Sequence, residues 1–142
     1  MSLDHLAIAV RDEREMSKIF DGILCGKRFG HNPFIPGLPQ SVGSWMFNDH
    51  KIELISTPID GGRSLVGAFL SRRPEQDAAF HHVTFIVGEE ADSLRTYRAR
   101  AEELGFIVTG YNENPYGGES WGEFFLSPKS VCPLSLIDLV LF

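Results

Sequence analysis

The sequence predicts an α+β fold built from two tandem βαβββ modules; if their mixed sheets are curved, they enclose a cleft. Three observations carry this. The order strand, helix, three strands occurs twice along the chain. Each first strand opens on a histidine, His5 in HLAIAV and His82 in HVTFIV. Each last strand holds a carboxylate between apolar residues, Glu53 in Ile52-Glu53-Leu54 and Asp138 in Ile137-Asp138-Leu139. A repeat of this size outranks local propensity as a guide to architecture.

In module one, residues 3–10 (LDHLAIAV) read as a strand ended by Arg11-Asp12. Asp12 is placed to cap the following helix, and Glu15, three residues on, completes a capping-box pattern. Met16, Ile19, Phe20, Ile23 and Leu24 recur at helical spacing as one apolar stripe, and Gly26 is a natural stop. Strand-like runs follow at Arg28–Ile35, Val42–Phe47 and Lys51–Thr57, separated by Pro36-Gly37-Leu38-Pro39 and Asn48-Asp49. Asp60-Gly61-Gly62 opens a linker in which Leu65, Val66, Phe69 and Leu70 mark a short helix ended by Arg72-Arg73-Pro74. In module two, His81–Val87 is a strand. Glu90–Leu104 is a helix with Leu94, Tyr97, Ala101 and Leu104 on one side. Phe106–Tyr111, Glu119–Leu126 and Leu134–Phe142 are strands. The division expected is one domain over 1–142, with module one at 1–58, a linker at 59–79 and module two at 80–142.

Composition sets limits. The chain has 142 residues, 43% hydrophobic and 23% charged, a globular balance with enough length for a real core. A net charge of −6 argues against nucleic acid as a partner, since such proteins carry a basic face. A small anionic substrate stays open, because a bound metal supplies local positive charge. The two cysteines, Cys25 and Cys132, form no CxxC pair and read as buried thiols in a reducing compartment. No signal peptide is read before Asp4-His5 and no apolar run has the length of a membrane span, so the expected location is the cytoplasm.

Strand alternation sharpens the repeat. Leu6, Ile8 and Val10 share a face opposite His5, Ala7 and Ala9. Val83, Phe85 and Val87 oppose His82 and Thr84; Ile52 and Leu54 oppose Glu53. In the last strand Asp138 stands between Leu136 and Val140 on a face otherwise apolar. Each strand thus has one greasy face for its module helix and a His or carboxylate on the other, with small Ala7, Ala9 and Thr84 leaving room there. Two imidazoles and two carboxylates suit a divalent ion such as Mn, Fe, Co, Ni or Zn, with no thiolate to bias the choice. Such an ion acts as a Lewis acid on a carbonyl, and a nearby carboxylate moves the proton on the adjacent carbon.

Each residue also has a plainer reading. A single strand histidine is more often a hydrogen-bonded core residue, and a single strand glutamate often faces solvent. His81 points away from His82 and reads as packing or as support for the site. His50 and His31 read as surface residues. Tyr111, Tyr116 and Trp121, near the Asn112–Gly118 loop, either line a substrate mouth or serve as aromatic core or rim. Arg72, Arg73 and Lys129 read as solvated linker and turn positions.

In this order and spacing the motifs resemble the vicinal oxygen chelate superfamily, which includes glyoxalase I, bleomycin-resistance proteins, extradiol dioxygenases and methylmalonyl-CoA epimerase. LDHLAIAV is similar to the first strand of that family. KIELISTP resembles the fourth strand of the epimerases, and RSLVGAFLSRR followed by FHHVTFIV resembles their linker and double-histidine strand. WGEFFLSPKS and LSLIDLV look like the closing strands. The likeness covers essentially the whole chain. It implies a single glyoxalase-like domain, metal ligands at His5, Glu53, His82 and Asp138, and commonly a homodimer. The chain departs from the pattern in carrying Asp138 where enzymatic members usually carry Glu. Val42–Phe47 holds none of the extra acid found in some epimerases. Ser127 stands in place of a frequent His, and Pro133 in place of a common Gly.

The function expected is that of a metal-dependent isomerase, epimerase or lyase acting on a small acid, thioester or thiol conjugate. It would abstract a proton next to a carbonyl and stabilise an enediolate on the metal, with Asp138 or Glu53 as base. No residue is assigned to an organic cofactor. Two alternatives stand beside it. One is Fe(II) dioxygenase chemistry on a face made by His5, His82 and Asp138. The other is metal-free binding of a drug-like molecule among Trp45, Phe47, Tyr111 and Trp121.

Overall fold

A computed structural model describes residues 1–32, 41–57, 65–88, 91–113, 122–127 and 136–141. It is α+β, as expected. The chain divides into two compact units, Leu6–His81 and Met1–His5 with His82–Phe142. The boundaries fall inside β1 (Ser2–Val10) and β5 (Ala78–Gly88). Among the described residues no helix is long and apolar enough to cross a membrane.

The unit Leu6–His81 contains the end of β1, α1 (Glu13–Lys18), β2 (Lys27–Asn32), β3 (Ser41–Phe47), β4 (His50–Ser56), α2 (Leu65–Ser71) and the start of β5. The strand order is β2-β3-β4-β1. β2 pairs antiparallel with β3, and β3 with β4, in a register that sets Ser44 opposite Glu53. The greasy face behaves as alternation requires. Val10, Phe20, Trp45 and Leu54 form a core against which Ile8, Met16 and Ile52 pack.

The first helix departs from expectation in three ways. Asp12 does cap it, its Oδ1 accepting from the Arg14 and Glu15 amides at 2.9 and 3.2 Å. Glu15, however, pairs with Lys18 Nζ at 2.5 Å along the exposed helix face, an i,i+3 ion pair in place of the second half of a capping box. After Lys18 the helix widens into a π-helical turn, Ile19–Ile23, so the 3.6-residue spacing is lost. Of the expected stripe only Phe20 is buried in this segment, and Ile23 is 74% exposed. Cys25 then takes the left-handed conformation (φ 52°) that ends the helix, one residue before Gly26, and its side chain is exposed rather than buried. Gly26 is required for a different reason: a Cβ there would meet the Phe47 ring at 2.6 Å.

The opposite face of this unit is occupied by α2. Ala7, Ala9 and Ile55 pack with Val66 and Leu70 in a second core. Ala7 and Ala9 therefore make room for a helix of the chain itself, and not for a ligand as the sequence reading expected. Arg11 fastens the segment after α2. Its guanidinium donates to the Leu70, Arg73 and Gln76 carbonyls at 2.8, 3.1 and 3.0 Å. These include acceptors at a helix end that has no intrahelical donors left.

The unit built on His82–Phe142 contains the rest of β5, α3 (Ala91–Glu103), β6 (Ile107–Glu113), β7 (Gly122–Ser127) and β8 (Leu136–Leu141), in the order β5-β8-β7-β6. β5 and β8 are parallel, β8 and β7 antiparallel, β7 and β6 antiparallel. In both units the first strand lies beside the fourth, then the third, then the second, so the sequence repeat is also a repeat of strand order. Leu94 of α3 packs with Val87 and Phe124, and Phe85, Tyr97, Val108 and Leu126 close around them.

Candidate metal and substrate site

The structure brings His5 and His82 together. His5 Nε2 lies 3.3 Å from His82 Nε2, and the rings meet edge to face at 5.4 Å between centroids. Thr84, fully buried two residues beyond His82, places its Oγ1 3.1 Å from the same His5 Nε2. On the other side of the ring, His5 Nδ1 lies 2.6 Å from Asp4 Oδ2. A carboxylate only accepts, so a proton on Nδ1 satisfies this contact and leaves Nε2 facing His82 and Thr84.

Register carries the site further. Thr84 pairs with Asp138 on β8, and Asp138 pairs with Phe125 on β7. The Phe125 ring in turn lies edge-on to His82 at 6.0 Å. The Asp138 backbone therefore stands between two residues that touch the histidine pair, while its side chain lies outside the described residues. So do the side chains of His31, Tyr111, Tyr116, Trp121 and Lys129, and Cys132.

Glu53 belongs to the other unit. Its Oε1 accepts from Ser44 Oγ at 3.1 Å across the β3–β4 register and lies 3.7 Å from Lys51 Nζ. Its side chain is largely withdrawn from solvent, so it is not the wet-face glutamate of the plainer reading. The remaining histidines follow expectation where described. His50 is exposed. His81 is buried, with its ring 4.7 Å from that of Phe69. Burial first, and the Arg73 charge second, lower its pKa to about 4. Arg73 itself covers the Phe69 ring at 3.9 Å.

Two acids escaped the sequence reading. Asp4 escaped because neighbouring residues on an ideal strand leave opposite faces, which hides a contact between positions 4 and 5. Glu123 is half-buried on β7, where burial raises its pKa. Alternation sets it beside Phe125 and opposite Phe124 and Leu126 of the core. A lone acid in GEFFL was the available signal. Trp45 moves the other way. It is a core residue at 0% exposure, with its indole N–H donating to Asp21 Oδ1 at 2.6 Å, and it lines no cleft.

The donor set can be tested against a divalent ion. Among the described residues no three His, Cys, Asp or Glu side chains gather as a metal cluster; the described pair is His5 with His82. Metal–imidazole bonds of about 2.0–2.1 Å put adjacent ligand nitrogens about 2.9–3.4 Å apart. The observed 3.3 Å falls within that span, and Asp4 supplies the outer carboxylate that metal-bound histidines usually have. The histidine pair fits.

The fold is that of methylmalonyl-CoA epimerases of known structure. Solved structures similar to the chain include a hypothetical protein from Bacillus halodurans C-125, with a TM-score of 0.77 and 20% identity over 99% of this chain and 93% of that one. They also include the methylmalonyl-CoA epimerase of Mycobacterium tuberculosis, with a TM-score of 0.73 and 18% identity over 99% of this chain and 87% of that one. A variant of the Streptomyces coelicolor methylmalonyl-CoA epimerase, in complex with 2-nitronate-propionyl-CoA, has a TM-score of 0.75 and 19% identity over 99% of this chain and 96% of that one. Identity at this level establishes the fold alone. No protein-family profile matches the sequence, and no curated protein does.

Proposed function

We propose that the chain is an epimerase of the glyoxalase-like type that moves a proton on the carbon next to the carbonyl of a CoA thioester. The observation that carries the proposal is the His5–His82 pair, with both Nε2 atoms within 3.3 Å and Asp4 behind His5. Structural neighbours that carry methylmalonyl-CoA or 2-nitronate-propionyl-CoA support the substrate class.

In this reading His5, His82, Glu53 and Asp138 hold a divalent ion. Bound there, the ion polarises the thioester carbonyl and offsets the charge that develops on its oxygen. The chain's own carboxylates do the proton work. Asp138, at the register position beside Thr84, is one base. Glu53, hydrogen-bonded by Ser44, is the other. Inversion needs a carboxylate to remove the proton and a proton returned to the opposite side of the planar carbon. Ser44 stands on the third strand, where some epimerases carry a further acid, so these two carboxylates carry the whole transfer. The same reading takes residues 1–142 as one glyoxalase-like domain, homodimeric and cytoplasmic. The buried position of Trp45 counts against a metal-free binding cleft that uses its ring.

Exchange of the α-proton tests the reading. Methylmalonyl-CoA incubated in D2O with the metal-loaded protein should take up deuterium at C2, and Glu53→Gln or Asp138→Ala should slow this by about 100-fold or more. Wild-type exchange rates in both variants would refute the assignment of the bases. Absence of exchange with any of several branched acyl-CoA esters would refute the reaction class.

A further inference from the structure

We infer that Asp4 is the positioning residue for His5: its carboxylate accepts a hydrogen bond from Nδ1–H and so commits the Nε2 lone pair to the space shared with His82 and Thr84. The contact is short, 2.6 Å between His5 Nδ1 and Asp4 Oδ2, and both side chains are largely withdrawn from water, at 11% and 16% exposure. A charge-assisted bond of this length in that setting is stronger than a neutral one. It acts on orientation as well as on the proton. Of the two ring nitrogens, the one left without a proton is the one 3.3 Å from His82 Nε2 and 3.1 Å from Thr84 Oγ1. The other tautomer would carry a hydrogen on Nε2 and offer no lone pair there.

The alternation of β1 explains why the pair is a device and not a by-product of strand geometry. Adjacent strand side chains leave on opposite faces. A contact between neighbours is therefore not one that an ideal strand supplies.

The inference draws its purpose from the proposed metal reading but is tested apart from it. In the metal-free protein at about pH 8, where an ordinary imidazole is neutral, two-bond 1H–15N correlation spectra report which nitrogen of His5 is protonated. The wild type should show the proton on Nδ1. Asp4→Ala should move most of the His5 population to the Nε2–H form. In parallel, affinity for Co(II) should fall about 10–100-fold in Asp4→Ala, and Asp4→Glu should recover part of the loss. A wild-type proton on Nε2 overturns the inference, whether or not the variant folds. An unchanged His5 tautomer in a folded Asp4→Ala protein does so too. If the wild type binds no metal while the tautomers behave as described, the metal reading fails and the role of Asp4 stands.

Discussion

His5 Nε2 and His82 Nε2 lie 3.3 Å apart although 77 residues separate them in the chain. Each residue lies on the first strand of its own βαβββ run, β1 and β5. Two equivalent positions of the sequence repeat, each with a single unremarkable histidine, thus place their ring nitrogens in contact.

The buried tryptophan gives a first prediction. Trp45 packs with Phe20 and Leu54 and donates to Asp21 at 2.6 Å. Trp45→Ala should cost about 3–5 kcal/mol in urea unfolding, the range for removing a large core aromatic. If the ring lined a ligand cleft instead, its removal would leave stability nearly unchanged.

A second concerns pH. The folded pKa of His81 is about 4 against 6.5 for the free group, because burial disfavours the charged ring. The unfolded chain therefore binds the extra proton first. The contribution is fully present above about pH 6.5 and is lost as pH falls toward 4, with a total of about 3 kcal/mol. Unfolding free energies measured from pH 7 to 4.5 should fall more steeply for the wild type than for His81→Phe. Parallel slopes would place the charged ring in water.

A third concerns Arg11, which donates to the Leu70 carbonyl in the last turn of α2 and to the Arg73 and Gln76 carbonyls after it. Arg11→Met keeps most of the aliphatic stem and removes the donors. It should destabilise by about 1–3 kcal/mol and speed amide exchange at Arg73 and Gln76, whose N–H groups donate to Leu70 O and Arg73 O. Unchanged exchange at those amides would mean that the segment holds itself.

Much of the fold was legible because period-2 alternation is a direct image of burial. Ile8 with Val10, Ile52 with Leu54, and Phe85 with Val87 all pack as their spacing requires. What failed was the α1 stripe, where a π-helical turn breaks the 3.6 period and leaves Ile23 outside. Ala7 and Ala9 were legible as small residues, but not as the seat of α2, because nothing in their own strand says which element will cover them. At the site, His5 and His82 were found through the repeat. Asp4 was hidden by the same alternation that revealed the others, since neighbouring strand residues are expected on opposite faces.

The most direct test of the central claim is metal content per chain, measured by plasma mass spectrometry on tag-free protein beside His5→Ala and His82→Ala variants. The account predicts about one divalent ion per chain in the wild type, after loading if necessary, and its loss in both variants. No bound ion after incubation with Mn, Co, Ni, Zn or Fe(II), or an ion retained when either histidine is removed, would contradict it.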